Sequence, residues 1–219
     1  MSDETQETQR VTRHANGMTP EEMRRAIDAI RRGDGLPVTS IDRLVDQRGV
    51  PSRLWVVAQN PRGTACVRLV RELLDGKGCI LVLSGHTGCG KSSAAAFALA
   101  DRTGIWIHAP DLARPPLDGN NGDDRMRYCG LLVLDDVGTE YSPRGYAANR
   151  ICSVLEHREG NRRPTIVTTN LTAEQFKAAY GERLASRLNG DPLGWQHVSG
   201  PDLRRNPAHW TEGQDETER

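Results

Sequence analysis

The stretch that decides the fold is "CILVLSGHTGCGKSSAAAFALA", residues 79–100. A short run of apolar residues leads into "GHTGCGKS" at 85–92, which has the spacing G-x-x-x-x-G-K-[ST], and an alanine-rich helical stretch follows. Glycines let backbone N–H groups curl closely around a phosphate, and the first N–H groups of the next helix add the positive end of its dipole. The sequence therefore predicts a loop that binds nucleotide phosphates, set between a buried strand and a helix.

Lys91 stands out because lysine is rare in this chain. Of the 29 basic residues, the lysines are Lys77, Lys91 and Lys177. A compact ammonium reaches the β- and γ-phosphates as a point charge, whereas a guanidinium is too broad for the loop. The hydroxyl of Ser92 is suited to bind Mg²⁺. The alternative, a glycine turn beside an ordinary surface lysine, is disfavoured by the strand before it and the helix after it. The predicted nucleotide-binding residues are Gly85, His86, Thr87, Gly88, Cys89, Gly90, Lys91, Ser92 and Ser93.

Four further apolar runs resemble the strand that precedes the loop. Continuous apolar runs are typical of strands covered on both faces. The predicted strands are 79–85, 104–109, 131–136, 164–170 and 195–200, and the predicted helices are 64–75, 90–101, 143–159 (with Ser142 as cap and Pro143 in first position) and 173–188. Strands that alternate with helices predict a parallel five-stranded sheet in a three-layer α/β domain.

Two acidic residues follow the apolar run in "LLVLDDVG", 131–138. They would lie at the carboxyl end of a strand, where ligands bind in open α/β sheets. We predict that Asp135 binds Mg²⁺ directly or through water, and that Asp136 orients or deprotonates the attacking water. The alternative is a pair of aspartates that cap a turn, which the complete phosphate loop disfavours.

Composition and charge exclude several classes of protein. The formal net charge is zero, so no global basic field marks a nucleic-acid binder. No apolar run approaches 18 residues, and no signal-peptide pattern opens the chain. The five cysteines form no C-x-x-C pair, and their odd number favours reduced thiols over disulfides or a zinc site. The sequence therefore predicts a cytoplasmic protein without membrane association.

The two ends of the chain differ from its centre. Residues 1–18 and 206–219 are polar and nearly free of large apolar side chains, which predicts disordered tails. A small helical extension is predicted at 19–48, with an amphipathic helix over 20–32 and a short helical piece after Ser40. The apolar stripe of the first helix is suited either to dock on a partner or to pack on its own domain, and the sequence leaves both open.

The order and spacing of four segments resemble one family of ATPases. The phosphate loop, "LLVLDDVGTEY", "RRPTIVTTNLTAEQFKAAYGERLASRL" and "VSGPDLRR" look like an AAA+ ATPase of the DnaC/IstB-type branch of bacterial and phage helicase loaders and transposition helpers. "GVPSRL" at 49–54 is similar to the start of that family's ATPase domain. The resemblance covers 49–205 and implies a P-loop NTPase fold with a reduced or absent lid domain.

The resemblance also assigns roles to residues at the ends of the predicted strands. It implies that Lys91 and Ser92 bind ATP and Mg²⁺, and that Asp135 is the Walker B metal acid. Asp136 takes the position of the catalytic acid, and Asn170 that of sensor 1. Without the resemblance, Asn170 only ends a buried strand that runs into a turn. Many AAA+ proteins have glutamate at the position of Asp136, and the shorter side chain would slow hydrolysis.

"ERLASR", 182–187, is similar to the box that carries an arginine finger in AAA+ proteins. The resemblance implies Arg187 as the finger, with Arg183 as a supporting candidate. The alternative is a solvated helix face on which Glu182 is a neighbour. Helicase loaders often contact DNA through the segment that corresponds to 110–130. In this chain the segment is short and interrupted by prolines, so the sequence leaves open whether it contacts DNA.

The function implied by the resemblance is ATP hydrolysis that helps to load a replicative DNA helicase onto DNA. The implied partners are that helicase, DNA in single-stranded form, and further copies of the chain joined through an arginine finger acting in trans. An IstB-like transposition helper and an adaptor with a slow ATP switch are the alternatives. A small-molecule kinase is disfavoured, since nothing in the sequence resembles a lid or an acceptor pocket.

Overall fold

The computed structural model describes residues 49–51, 53–54, 58, 63–114, 122–141 and 145–203. The predicted tails and the predicted extension at 19–48, with its two helical pieces, lie outside the described residues. These assignments, the domain boundaries drawn from them and the reduced lid stay predictions. Across the described ranges, no helix is both long enough and apolar enough to cross a membrane.

Strands and helices alternate along the described chain. In order, the elements are α1 (Ala65–Leu74), β1 (Ile80–Ser84), α2 (Lys91–Asp101), β2 (Gly104–His108), a 3-10 helix (Ala109–Ala113), α3 (Gly122–Tyr128), β3 (Leu131–Val137), α4 (Tyr146–Gly160), β4 (Thr165–Thr169), α5 (Ala173–Tyr180), α6 (Glu182–Gly190) and β5 (Gly194–His197). All five predicted strands form, which confirms the strand prediction from continuous apolar runs.

The five strands form one parallel sheet in the order β2-β3-β4-β1-β5. In this register Ser84 pairs with Thr169, and His108 lies opposite Asp135. The carboxyl ends of β1, β3 and β4 therefore meet at one edge of the sheet. We call this edge the carboxyl edge. The phosphate loop follows β1 there, the acidic pair lies near the end of β3, and Asn170 follows β4.

The core has two halves, one on each face of the sheet. Leu81 and Leu83 of β1 belong to the half that α1 and α2 cover, whereas Ile80 and Val82 belong to the half that α4, α5 and α6 cover. Side chains alternate between the two faces of a strand, so a strand covered on both faces has no solvent-exposed face, and its polar residues, such as Thr165 and Thr168, are buried too. The predicted three-layer arrangement is confirmed.

One of the predicted helices is wrong. The single helix predicted at 173–188 is two helices, α5 and α6, which are separated at Gly181 with φ +92°. The pattern concealed the break because buried apolar residues continue through it every fourth position: Phe176, Tyr180, Leu184 and Leu188. Helix α4 begins at Tyr146 with Gly145 as N-cap. The predicted cap Ser142 and first position Pro143 lie outside the described residues, so the start at 143 stays a prediction. Gly145 and Gly181 both have positive φ, a conformation that other residues seldom adopt.

The opposite edge of the sheet, called the amino edge below, contains a buried cation. The guanidinium of Arg158 in α4 is fully buried, and burial lowers its pKa. Its nitrogen atoms donate hydrogen bonds to six protein oxygens at 2.7–3.3 Å, the Oγ1 of Thr165 and the carbonyls of Met126, Arg127, Cys129, Gly130 and Pro164. The side chain thereby joins α4 to the start of β3 and of β4.

Candidate nucleotide-binding site

The phosphate loop connects β1 to α2 with glycines in conformations that other residues disfavour. Gly88 has φ +93° and Gly90 has φ +95°. Gly90 is the N-cap of α2, and no side chain caps this end of the helix. A Cβ atom on Gly88 would also collide with the carboxylate of Asp202, which would have to move. The loop presents the uncapped helix N-terminus that favours an anion.

Lys91 is the buried centre of the site, with only 5% of its surface exposed. Its Nζ donates hydrogen bonds to the carbonyl oxygens of Gly85 at 2.7 Å and His86 at 2.9 Å. A third bond, of 3.0 Å, goes to Oδ1 of Asn170, just after β4. Among the residues that the structure describes, no carboxylate accepts from this ammonium, and its remaining contact is the Sγ of Cys89 at 3.8 Å. The positive charge is therefore available to a phosphate.

Asp135 lies at the end of β3 and joins the two halves of the site. Its Oδ1 accepts hydrogen bonds from the hydroxyl groups of Ser92 and Thr168, each at 2.7 Å. Burial raises the pKa of this carboxyl group, and the two hydrogen bonds oppose the rise. Hydroxyl and carboxylate oxygens are ligands that Mg²⁺ prefers, and a divalent cation would offset the cost of burying the charge. Ser92 and Asp135 thus fit the predicted metal site.

Asp136 has an unusual backbone conformation, with φ +57°. Its N–H donates to Oγ1 of Thr168 at 3.0 Å, and its carboxylate is partly exposed, with Oδ2 3.6 Å from Nε2 of His108. One ligand atom each from His108, Asp135 and Asp136 lie within 4.8 Å of one another. The predicted catalytic acid therefore lies beside the predicted metal acid, within reach of a water molecule at the open side of the site.

The other loop residues contribute in different ways. His86 and Thr87 are exposed, and the ring of His86 forms hydrogen bonds with the carbonyl oxygens of Thr87 and Gly200 at 2.8 and 2.7 Å. Cys89 is 6% exposed, and its Sγ lies 3.1 Å from the carbonyl oxygen of His86. Ser93 is half-buried in the first turn of α2. Of these residues, Cys89 is the most buried.

The two arginine-finger candidates bind glutamates of α4 rather than the phosphate loop. Arg187 forms an ion pair of 2.7 Å with Glu159, and Arg183 forms one of 3.3 Å with Glu156. The side chain of Arg183 is 76% exposed. Both arginines lie apart from the cluster around Lys91 in the same chain, which is compatible with action on a neighbouring copy.

Sequence reasoning missed two residues of the site. Thr168 links Asp135 to the backbone of Asp136, yet in the sequence it is one β-branched residue of a buried strand. His108 ends β2, and its only signal is that it is the first polar side chain after an apolar run. The role of either residue becomes visible only from the order of the strands, in which β2 and β4 lie on either side of β3.

No protein-family model matches the chain. Among curated proteins, the chain is similar to the replicative helicase loader DnaC of Escherichia coli (strain K12) and of Shigella flexneri. Each is 26% identical, and each comparison covers 53% of this chain and 53% of the relative. The chain thus spans about half the length of the curated relatives that it matches.

Solved structures show the same fold. A crystal structure of the DnaC helicase loader has a TM-score of 0.55 at 17% identity, covering 68% of this chain and all of that one. A DNA replication initiation factor has a TM-score of 0.53 at 18% identity, with 63% of this chain and 46% of the other covered. AMPPCP-bound DnaA from Aquifex aeolicus has a TM-score of 0.53 at 19% identity, with coverages of 68% and 51%.

These likenesses show that the chain has the P-loop fold of the AAA+ type. Within that class, the predicted resemblance to the DnaC-type helicase loaders is confirmed by both comparisons.

Proposed function

We propose that the chain binds ATP with Mg²⁺ at the loop 85–92 and hydrolyses the ATP. The observation that carries the proposal is two adjacent hydrogen-bonded pairs, Lys91 with Asn170 and Ser92 with Asp135, which bring together three separate parts of the chain. A buried ammonium with carbonyl and amide oxygens as acceptors suits a phosphate, and a buried carboxylate beside a hydroxyl suits Mg²⁺. Both halves of an ATP–Mg²⁺ site therefore meet at the carboxyl edge.

Each residue has a role that follows from its position. Lys91 would exchange the carbonyls of Gly85 and His86 for phosphate oxygens, which are stronger acceptors because they are charged. Asp136 would hold the attacking water and accept its proton, and Asn170 would orient that water. Bound Mg²⁺ would neutralise part of the negative charge that develops on the phosphates.

The second candidate function is an ATP-switched adaptor with slow hydrolysis. Two features of Asp136 favour slow hydrolysis. Its side chain is shorter than that of glutamate, and its Oδ2 already lies beside His108. Turnover that stays slow at every protein concentration, with DNA and with a helicase, would favour the adaptor. Activation by any of these additions would favour a motor.

We also propose that the ATP-dependent activity assists the loading of a replicative DNA helicase onto single-stranded DNA in the cytoplasm. The similarity to DnaC supports this proposal, over about half the length of that relative. The extension at 19–48 is the candidate for contacting the helicase. The sequence alternative, a transposition helper, would instead require association with a transposase.

The test is co-purification of the full chain with a replicative helicase from the same cell, with ATP, with ADP and without nucleotide. We expect association to depend on the nucleotide, and the variant Lys91→Ala to lose that dependence. The matched control is Lys177→Ala, because Lys177 is exposed and paired with Glu182. ATP hydrolysis without association in any state would remove the helicase proposal and leave the ATPase proposal standing.

We further propose that hydrolysis requires copies of the chain to assemble. An arginine finger stabilises charge on the γ-phosphate of a neighbour's nucleotide, an effect of roughly 10³–10⁵ in rate. Activity per subunit should therefore rise with protein concentration. Arg187→Ala should keep ATP affinity and lose the stimulated activity, and mixing it with Lys91→Ala should restore part of that activity.

The structure supports testing both arginines in parallel. Arg183 is the more exposed, whereas Arg187 must leave Glu159 before it can reach a neighbour. If Arg187 is the finger, Glu159→Gln should leave activity intact, because it removes only the partner that holds the arginine. If the defect appears in Arg183→Ala alone, the finger lies one helical turn earlier. A mixture that stays inactive while its subunits associate would contradict a trans finger at the tested position.

A further inference from the structure

We infer that Cys89 of the phosphate loop is a site of oxidative modification, at which a peroxide joins Cys89 to Cys66 in a disulfide that closes the nucleotide site. The inference rests on the proposed ATP site for its consequence. The formation of the disulfide itself rests only on the two cysteines and their surroundings.

The two thiols lie side by side between the phosphate loop and α1. Cys66 in α1 is 1% exposed and Cys89 is 6% exposed, and both belong to the same half of the core. The Sγ of Cys66 lies 3.6 Å from the carbonyl oxygen of Cys89. The Sγ of Cys89 lies 3.1 Å from the carbonyl oxygen of His86 and 3.8 Å from Nζ of Lys91. The pair thus connects the loop to the helix that supports it.

The surroundings make the two thiols chemically different. A hydrogen bond from Cys66 and the charge of Lys91 hold the pKa of Cys89 below its usual value. The same hydrogen bond and burial raise the pKa of Cys66. A thiolate is the form that attacks a peroxide, and a neighbouring thiol resolves the product. Cys89 is therefore the nucleophile, and Cys66 is the resolving cysteine.

The remaining cysteines have surroundings that disfavour this reaction. Burial raises the pKa of the Cys79 thiol to about 12, and burial also raises the pKa values of Cys129 and Cys152. All five cysteines are free thiols. Cys129 is thus a suitable control position, since it has a free thiol outside the nucleotide site.

The reaction is balanced with one hydrogen peroxide. The Cys89 thiolate attacks one oxygen, the O–O bond breaks, and protonation of the departing oxygen gives water and a sulfenic acid. The Cys66 thiol then loses its proton and attacks the sulfenic sulfur, which releases the second water and forms the S–S bond. The two sulfurs are oxidised, and the peroxide is reduced to two waters.

The disulfide would change the loop on which phosphate binding depends. Two bonded sulfurs lie about 2.05 Å apart, so the side chain of Cys89 must leave the carbonyl of His86 and turn toward α1. The backbone N–H of Cys89 and the ammonium of Lys91 would then no longer face the same phosphate. We expect the oxidised chain to lose ATP affinity by about tenfold or more, and reduction to restore it.

The test treats the reduced full-length chain with hydrogen peroxide and measures three properties. We expect the loss of two of the five thiols, a peptide pair linked through Cys66 and Cys89, and weaker binding of a fluorescent ATP analogue that a reductant reverses. Absence of the linked pair, or a linked chain that binds the analogue as before, would overturn the inference. Failure of the reduced chain to bind the analogue would instead contradict the proposed function.

Two variants separate the roles of the cysteines. Cys66→Ala should form no linked pair, and its Cys89 should be labelled by a reagent that traps sulfenic acids. Cys129→Ala should respond to peroxide as the wild type does. An unlabelled Cys89 in the first variant would overturn the assignment of the nucleophile. If Cys66→Ala does not fold, the peptide map of the wild type decides alone.

Discussion

Two buried cations lie at opposite edges of the same sheet, and they have different kinds of partner. Arg158 at the amino edge is 0% exposed and is bonded to six oxygens from the end of α3, the residues between α3 and β3, and the start of β4. Lys91 at the carboxyl edge is 5% exposed and holds two carbonyls of its own loop and Asn170. Burial alone therefore does not distinguish a structural cation from a binding one.

The difference lies in how easily each cation can exchange its partners. The guanidinium has a rigid fork of donors, and its acceptors belong to several segments that would have to separate together. The ammonium has three donors that rotate freely about one bond, and two of its acceptors border the open phosphate loop. Arg158 thus stabilises the fold, whereas Lys91 can turn to a ligand without unfolding its surroundings.

The sharpest test of this comparison is Arg158→Met. The variant keeps the apolar stem but leaves the buried carbonyls of the amino edge without donors, which should lower the free energy of unfolding by roughly 3–5 kcal/mol. Urea denaturation measures the change. The matched control is Arg183→Met, which should fall within about 0.5 kcal/mol of the wild type because that side chain is mostly exposed. Equal stability of the two variants would contradict the structural role of Arg158.

The second test is Lys91→Ala, which should affect binding rather than folding. Loss of the charge-assisted contacts to phosphate should weaken ATP binding by about 100-fold or more. The thermal midpoint should change little, because the loop carbonyls it leaves can be hydrated. Titration calorimetry and thermal denaturation measure the two quantities. An unchanged ATP affinity would remove the basis of the proposed function.

The third test is Asp136→Asn, which keeps the size of the side chain and removes the charge that orients water. ATP binding should persist, while turnover should fall by about tenfold to a hundredfold. Asparagine tolerates positive φ, so the strained backbone should remain. A steady-state phosphate-release assay measures the rate. Unchanged turnover would shift the role to Glu140, which in this structure accepts hydrogen bonds from Gly138 and Tyr180.

The smallest expected effect is a gain in stability from Asp135→Asn. Burial raises the pKa of Asp135, so the ionised carboxylate costs stability at neutral pH when no cation is bound. The amide oxygen can still accept from Ser92 and Thr168. We expect a gain of about 1 kcal/mol, roughly 2–4 °C, measured in the absence of nucleotide and metal.

The pH dependence of that gain has a definite sign. Because the folded pKa of Asp135 is raised, the stability difference should shrink as the pH falls through that pKa and the wild type becomes protonated. The variant should also lose the effect of Mg²⁺ on nucleotide binding. A wild type more stable than the variant at neutral pH without metal would contradict the assigned pKa shift.

The sequence predicted secondary structure best where a single physical requirement, such as burial on both faces, determines the residue types of a whole segment. Mainly apolar runs marked all five strands, because a strand covered on both faces has no exposed face that would require alternating polar residues. The helices were less well defined. Gly181 divides α5 from α6, but the apolar repeat continues across the division and resembles one helix. The spacing of apolar residues indicates which face of a helix is buried, but it does not indicate where one helix ends and the next begins.

The candidate site shows the same limit. Lys91, Ser92 and Asp135 were predicted from motifs, and the structure brings them together with Asn170. Thr168 was missed because it is one of three threonines in β4, and His108 was missed because it is a lone polar residue at the end of β2. Their relation to the acidic pair depends on which strands flank β3, which no local spacing specifies.

The sequence by itself determined the phosphate loop, the acidic strand end and the alternation of strands and helices, since each depends on residues close together in the chain. Only the tertiary structure decided the partners of Lys91 and Arg158, the pairing of Cys66 with Cys89 and the place of His108 beside Asp136. Several of these contacts join residues far apart in the chain: Lys91 and Asn170 are 79 positions apart, and Arg158 and Met126 are 32 positions apart. They form because the order of strands in the sheet, rather than the order in the chain, sets which side chains meet.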